Sequence, residues 1–352
     1  WKGLVGSEMC IRDRFMAIHS SEDFIYHLGN KLKEYQNSDG SIICKDDQTH
    51  DHWDHLEACI GLGIAGFKDE FERGLAWSRL NQNSDGSWYE EYKKSNPTKL
   101  NKQSNHAAYF ATALAFHYIL FQDKAFIKEN WSCLLMANDF LLDMQSKSGA
   151  FIWNIDEDGE YDIDFLLTGN SSIVKSFECS IFLADEMGEF SHKDKWHEIY
   201  KSAKKCVQAP KNNFDLKADR SNFSMDAYYP ILSGALSAEQ EAIYVEKTMQ
   251  RFYVDGLGVK CVAEEPWITV AETCEFCIAL VKAGYRERAI KILQEVKTIS
   301  DDEQIPYMGW QFNEKIFWPF EQPSWTIAAL ILAEDAIYNT SKASRVFTAN
   351  LV

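Results

Sequence analysis

The sequence predicts an all-α fold: six helical hairpins closed into an (α/α)6 toroid, with the long loops gathered on one rim. Three observations predict it. Helical segments of two characters alternate, a short turn string recurs between them, and short connections alternate with long ones.

Periodicity places helices over 20–36, 52–66, 68–82, 104–121, 123–145, 170–187, 191–209, 227–234, 237–253, 268–283, 285–299 and 324–340. Ser20-Ser21-Glu22-Asp23 opens the first with a cap and acids in its first turn. Ser237-Ala238-Glu239-Gln240 reads as a capping box. Segments 68–82, 123–145, 191–209, 237–253 and 285–299 are amphipathic and charged, as half-exposed outer helices must be. Segments 52–66, 104–121, 170–187, 268–283 and 324–340 are apolar on nearly all sides and rich in Ala, Gly, Cys and Ser, which marks closely packed inner helices. Pairing wet with dry gives hairpins stacked around a ring; an open superhelix is the rival arrangement. Strand signals are sparse, and Gly258-Val259-Lys260-Cys261-Val262 is the best of them.

The turn string is Gln82-Asn83-Ser84-Asp85-Gly86-Ser87-Trp88. Asp85-Gly86 supplies a tight turn, Gln82 can tie it to the preceding helix, and Trp88 can fold back over that helix. The same string stands at Gln36-Asn37-Ser38-Asp39-Gly40-Ser41, and a worn copy at Gln145-Ser146-Lys147-Ser148-Gly149-Ala150, so one supersecondary unit is repeated. Q-x-x-D-G-S-W resembles the QW repeat of squalene cyclases and their relatives, the terpenoid cyclase and protein prenyltransferase α/α-toroid superfamily. Related strings occur in other helical toroids, including some glycosidases. The resemblance implies a toroid and an isoprenoid-type ligand. It does not carry the superfamily's catalytic residues: no D-x-D-D string occurs, and the D-x-C of the prenyltransferases' zinc-ligand spacing is not found.

Inner helices pass to outer ones by short turns at Gly66-Phe67, Gln122, Gly188-Glu189 and Gly284, whereas loops 37–51, 83–103, 146–169, 210–226, 254–267 and 300–323 return. Alternate connections share one end of the ring, so the long loops crowd one rim, where compact domains place functional groups. Trp88, Trp153, Trp267, Trp310 and Trp318 lie in these loops, and Trp53 and Trp325 in the first turns of inner helices. An aromatic cavity mouth or a core for the loops would use them equally well.

Carboxylates converge on the same rim: Asp51, Asp54 and Glu57, Asp226, Glu264 and Glu265, Glu321, and the pair Glu272 and Glu275. Buried acids must be paired, protonated or functional, and acid–base catalysis uses two carboxyls of unlike proton affinity. Asp54, Asp226 and Glu265 are the expected catalytic acids. Trp53, His55, Glu57, Trp88, His106, Tyr229, Trp267, Glu272, Trp310, Trp318, Glu321 and Trp325 are the expected substrate-binding residues. Lys175 and Glu178 read as a structural salt bridge between helices, and Cys274 with Cys277 as core thiols. His50-Asp51-His52-Trp53-Asp54-His55 matches H-x-H-x-D-H of metallo-β-lactamase-like hydrolases, but the strands that family requires are missing; a local zinc on His50, His52 and His55 is a minor reading, and no cofactor is expected.

The expected chemistry is acid–base catalysis on an isoprenoid-type small molecule in a central cavity. The alternatives are a carbohydrate-active toroid and a non-catalytic ligand-binding one. A net charge of −17 argues against nucleic acid as a partner. No run of eighteen apolar residues exists to span a membrane, and nine scattered cysteines read as reduced thiols in a cytoplasmic protein. Residues 1–15 fit none of the downstream periodicity and read as a non-native leader, leaving 16–352 as one toroid domain.

Overall fold

The computed structural model describes residues 20–352 apart from 45–46; the leader expected over 1–15 lies outside them. Six inner helices form the ring: α2 (His52–Ile64), α4 (Ser104–Phe121), α6 (Leu167–Met187), α8 (Met225–Leu232), α10 (Val270–Lys282) and α12 (Ser324–Tyr338). Each packs on the next, and α12 packs back on α2, so the ring is closed and the open superhelix is excluded. Outside it stand α1 (Ser21–Lys33), α3 (Lys68–Leu80), α5 (Lys124–Met144), α7 (Phe190–Gln208), α9 (Ala238–Arg251) and α11 (Arg286–Val296). The inner helices are buried because their sequences leave them no wet face; thirteen of fifteen residues of α12 are buried, against two of fourteen in α9.

The recurring string proves to be a staple between hairpins. Gln82 donates from Nε2 to Gly86 O (3.0 Å) and to Cys133 O (2.9 Å) on α5, so one side chain ties its own turn to the next outer helix. Gln36 does the same to Gly40 O and Glu70 O on α3, and Gln145 to Gly149 O and Ser202 Oγ on α7. Gly40, Gly86 and Gly149 have φ of +96°, +89° and +100°, and a Cβ on Gly86 would sit 2.0 Å from Met136 O of α5. Glycine is required twice over, by the dihedral and by the approach. A fourth turn, bridged from Ser300 to Pro306, closes the set: its Glu303 O accepts from His27 of α1. This copy has no Gln-Asp-Gly string and is invisible as a repeat.

All six inner helices begin at the rim that carries the long loops. Two- and three-residue strands stiffen those loops, as in the antiparallel pairing of 267–269 with 309–311 and 316–317. The opposite end is closed by a short α13 (Arg345–Thr348), absent from the expected set of twelve because only Val346 and Phe347 give it an apolar side. Lys175 and Glu178 form an ion pair within α6, not between helices. They bind the tail behind α13: Glu178 accepts from Leu351 N (2.8 Å), and Lys175 reaches Ala349 O. The eight described cysteines are free thiols, seven of them buried. Among the described residues no helix is long and apolar enough to cross a membrane.

Candidate active site

Because every inner helix starts at the rim, its first two turns surround the ring axis. A cavity of about 350 Å³ lies there, and each inner helix contributes to its wall: Trp53, Asp54 and Glu57 from α2, Asn105 and His106 from α4, Thr168 from α6, Met225 from α8, Glu272 and Glu275 from α10, Trp325 from α12. Trp153 and Arg220 close its sides. A second lobe of about 530 Å³ runs outward over Thr49, His50, Glu90, Lys99, Gln103 and Met308. The two lobes share Asp51, Asp54, His106 and Trp325.

The electrostatics of the inner lobe are one-sided. Asp54 and Glu57 lie three apart on α2, as Glu272 and Glu275 do on α10, so each pair projects from one helical face into the same space. Burial raises the proton affinity of Asp54 well above the ordinary carboxylate range, and the neighbouring Asp51 and Glu57 add to it. Burial likewise pushes Glu57 up to about 7, with Asp51 and Glu272 contributing and the Trp53 indole opposing. Glu275 is also raised, by burial first and then by Glu57, although it accepts from the Tyr228 hydroxyl. Among the described residues two cations line the lobes, Lys99 and Arg220, and both are engaged, Lys99 by Glu91 (3.0 Å) and Arg220 by Asp226 (3.2 Å). The positive ends of six helices face the acids instead, which lowers the cost of gathering them.

Each acid is held differently. Cys44 donates from Sγ to Asp54 Oδ2 (3.2 Å), and Asp51 caps α2 by accepting from Asp54 N (2.7 Å). Trp53 Nε1 donates to Glu57 Oε2 (3.2 Å) while its ring stacks on Tyr109 (4.6 Å) and meets Tyr229 edge-on (5.9 Å). Glu272 stands beside the Cys261 thiol, and its Oε2 is buried and has no protein partner. His106 Nδ1 and Asn105 Oδ1 are also buried without partners on this wall. Unmet donors and acceptors around a hollow are what a polyhydroxyl ligand would satisfy.

The expected residues therefore separate. Asp54, Trp53, Glu57, His106, Glu272 and Trp325 line the cavity, and Tyr229 lies buried beneath Trp53. Asp226 is buried behind the wall, where it accepts from Thr168 Oγ1 (2.5 Å) and Thr168 N (3.2 Å) and pairs with Arg220, tying α8 to the start of α6. Glu265 is exposed on its loop. Trp88 is fully buried, stacked on His52 (4.0 Å) and donating to Ser78 O (2.8 Å), and so serves the core. Trp267, Trp310 and Trp318 pack around the small sheet beside the rim, where Trp267 Nε1 donates to Trp318 O (2.5 Å). Glu321 lies further out on the same side. His55 has both ring nitrogens engaged, by Ile42 N and Gly74 O, and His52 by His106 O and Ser78 Oγ. Burial pushes His50 down to about 3, with its ring stacked against Tyr92 (5.7 Å). Among the described residues no group of three or more His, Cys, Asp or Glu is arranged to hold a metal ion. Asn105, Met225 and Arg220 carried no sequence signal of their own; the first-two-turns position on an inner helix singles out the first two.

Comparison with known proteins agrees with a carbohydrate site. The chain is 34% identical over 297 residues to the MMP endo-(1,4)-3-O-methyl-alpha-D-mannosidase of Mycolicibacterium hassiacum, covering 84% of this chain and 81% of that protein. The chain belongs to that mannosidase's family. No protein-family model matches it. Similar solved structures include a glycosidase variant in complex with glucose (TM-score 0.72, 10% identity, 91% of this chain and 97% of that one). A sugar epimerase from a ruminal bacterium (0.69, 12%, 91% and 99%) and a D-mannose isomerase (0.67, 12%, 91% and 97%) share the fold too. The resemblance of the repeat to terpenoid cyclases and prenyltransferases, and the isoprenoid ligand drawn from it, are thereby overturned. The physical reason lies in the staple: Gln36, Gln82 and Gln145 join neighbouring hairpins by hydrogen bonds and say nothing of the reaction. The cavity agrees, since among the described residues the two cations on its walls, Lys99 and Arg220, are already engaged by carboxylates and free for no diphosphate.

Proposed function

We propose that the protein is an endo-acting glycosidase that hydrolyses α-1,4 linkages of an O-methylated mannan. The observation that carries this is the pair of helices presenting unlike carboxyls to one axial hollow: Asp54, held toward its protonated form, and Glu272, with an oxygen that nothing in the protein occupies. Asp54 donates its proton to the glycosidic oxygen as the bond to the anomeric carbon breaks. Glu272 faces the positive charge that develops on the sugar, which the acidic lobe stabilises. Trp53 and Trp325 offer ring faces to the sugar. Met225, Ala271 and Trp153 give the methyl ethers an apolar wall. Arg220 and Asp226 position α6 and α8 around the hollow and take no part in proton transfer; Glu265 is left outside the mechanism.

The family relationship supports the substrate, because that relative's activity is an endo cleavage of 3-O-methyl-α-mannoside. The test is product analysis with 1,4-linked 3-O-methyl-α-mannan oligosaccharides, following the anomeric configuration of the first product by NMR. Inversion would assign Glu272 to water activation, and retention to attack on carbon. Asp54→Asn and Glu272→Gln should each lower kcat by roughly 10²–10⁴-fold. Cleavage that persists in either variant removes that residue from the mechanism, and a wild-type protein inert on every α-mannan removes the function.

A further inference from the structure

Beyond the outer lobe, the rim carries a feature that the proposed cleavage does not use. Phe320 is 74% exposed, and Trp318 two residues before it 53%, so two bare rings stand together on this part of the rim. Phe320 is supported rather than loose. Its ring lies 5.0 Å from Tyr307, which is stacked at 4.2 Å on Phe317. The backbone beneath is pinned: Tyr35 donates to Gln322 O (2.6 Å), and Gln322 Nε2 to Asp301 Oδ2 (2.8 Å) and Ile305 O (3.0 Å). A hollow of about 450 Å³ opens there, fringed by Lys31, Asp47, Glu321 and Gln322.

This hollow continues the catalytic groove. Tyr307 lines it and the next residue, Met308, lines the outer lobe; Gln322 lines it and Pro323 lines the outer lobe; Asp47 lines both. Met308 N donates to Glu321 O (2.8 Å), so the two segments that run from one hollow to the other are joined side by side. We propose that the Phe320 shelf is a second carbohydrate site, holding the methylated mannan chain several sugars away from the bond being cut. The inference rests on the mannosidase reading above. An endo-acting enzyme needs chain on both sides of the cleaved bond, and the groove supplies a path for it. A bare phenyl face suits a methyl ether better than a hydroxyl, while the charged fringe suits the remaining hydroxyls. A protein partner would instead want a dry apolar centre wider than this shelf.

The experiment compares wild type with Phe320→Ala and Phe320→Trp on 3-O-methyl-α-1,4-mannan chains of increasing length. Expected for wild type is a KM that falls once the chain is long enough to reach the shelf. In Phe320→Ala that fall should vanish, leaving KM for long chains roughly fivefold higher, with kcat and the shortest substrate unaffected; Phe320→Trp should restore it. A length dependence unchanged in Phe320→Ala overturns the proposal, as does an equal loss on the shortest chain. Should no chain be cut, the mannosidase reading falls, and calorimetric titration of the same ladder still reads the shelf. Affinity that rises with length in wild type but not in Phe320→Ala upholds it, and length-independent affinity removes it. A change of oligomeric state on Phe320→Ala without a change in sugar affinity would assign the ring to self-association and overturn the proposal.

Discussion

Replacing Glu57 by Gln should make the protein more stable above pH 7 and leave it unchanged near pH 4. The carboxyl is buried, and burial with the nearby Asp51 and Glu272 moves its titration from the ordinary 4.5 to about 7. In the unfolded chain the proton leaves near 4.5, in the folded chain only near 7. Through that window the unfolded state binds fewer protons, so stability falls as pH rises, and above about 7 the loss is complete. At 1.36 kcal/mol for each tenfold change in proton affinity, the loss amounts to about 3 kcal/mol. Glutamine keeps the shape, and its carbonyl oxygen still accepts from Trp53 Nε1, so the packing on Tyr109 is retained. Urea unfolding of both proteins from pH 4 to pH 8.5 measures the gap directly, provided the m-values agree. A gap that does not change with pH would refute the argument. A wild type that gains on the Glu57→Gln variant with rising pH would do so more strongly, because the helix N-termini would then outweigh burial.

Two further predictions concern the frame that holds the site. Gly86→Ala should cost more than about 2 kcal/mol, since it combines a φ of +89° with a Cβ driven against Met136 O, whereas Gly66→Ala, at a φ of +88° with open space, should cost only the dihedral term of roughly 1–2 kcal/mol; equal losses in thermal unfolding would deny the staple. Lys175→Met should destabilise by about 3–5 kcal/mol because Glu178 is left buried and unpaired beside the C-terminal tail, and Lys175→Met with Glu178→Leu should recover most of it; a double variant no better than the single would assign the loss to packing.

The fold was legible because two independent signals coincide along the chain. Inner helices such as α4 carry no polar face, outer ones such as α9 carry a wide one, and a glycine turn of fixed design marks where hairpins join. What stayed illegible was short. Strands of two residues, as at 49–50 or 154–155, are below the length at which alternation can be read. The turn at 300–306 does the staple's work with a different sequence, Gln322 arriving from a later segment to bond Asp301 and Ile305, so no repeat search on the string finds it. The same literal string misdirected the functional reading, because it was matched to a reaction when its hydrogen bonds serve only to join neighbouring hairpins.

The site was half legible, and the division follows from what a residue costs to bury. An acid on an otherwise apolar helix is expensive wherever it goes, so Asp54, Glu57, Glu272 and Glu275 announce themselves, and all four meet in the inner lobe. A tryptophan in a loop gains from burial in either place. Hence Trp53 and Trp325 line the cavity, while Trp88 fills the core under His52. The toroid explains why the acids can gather at all. Its connections put the amino ends of all six inner helices on one side, so the ring concentrates positive potential on its axis before any cation is added. That potential can then hold carboxylates, leaving Lys99 and Arg220 paired at the edges. A site built this way favours a neutral ligand that turns cationic during the reaction, which is the demand a glycosidic bond makes.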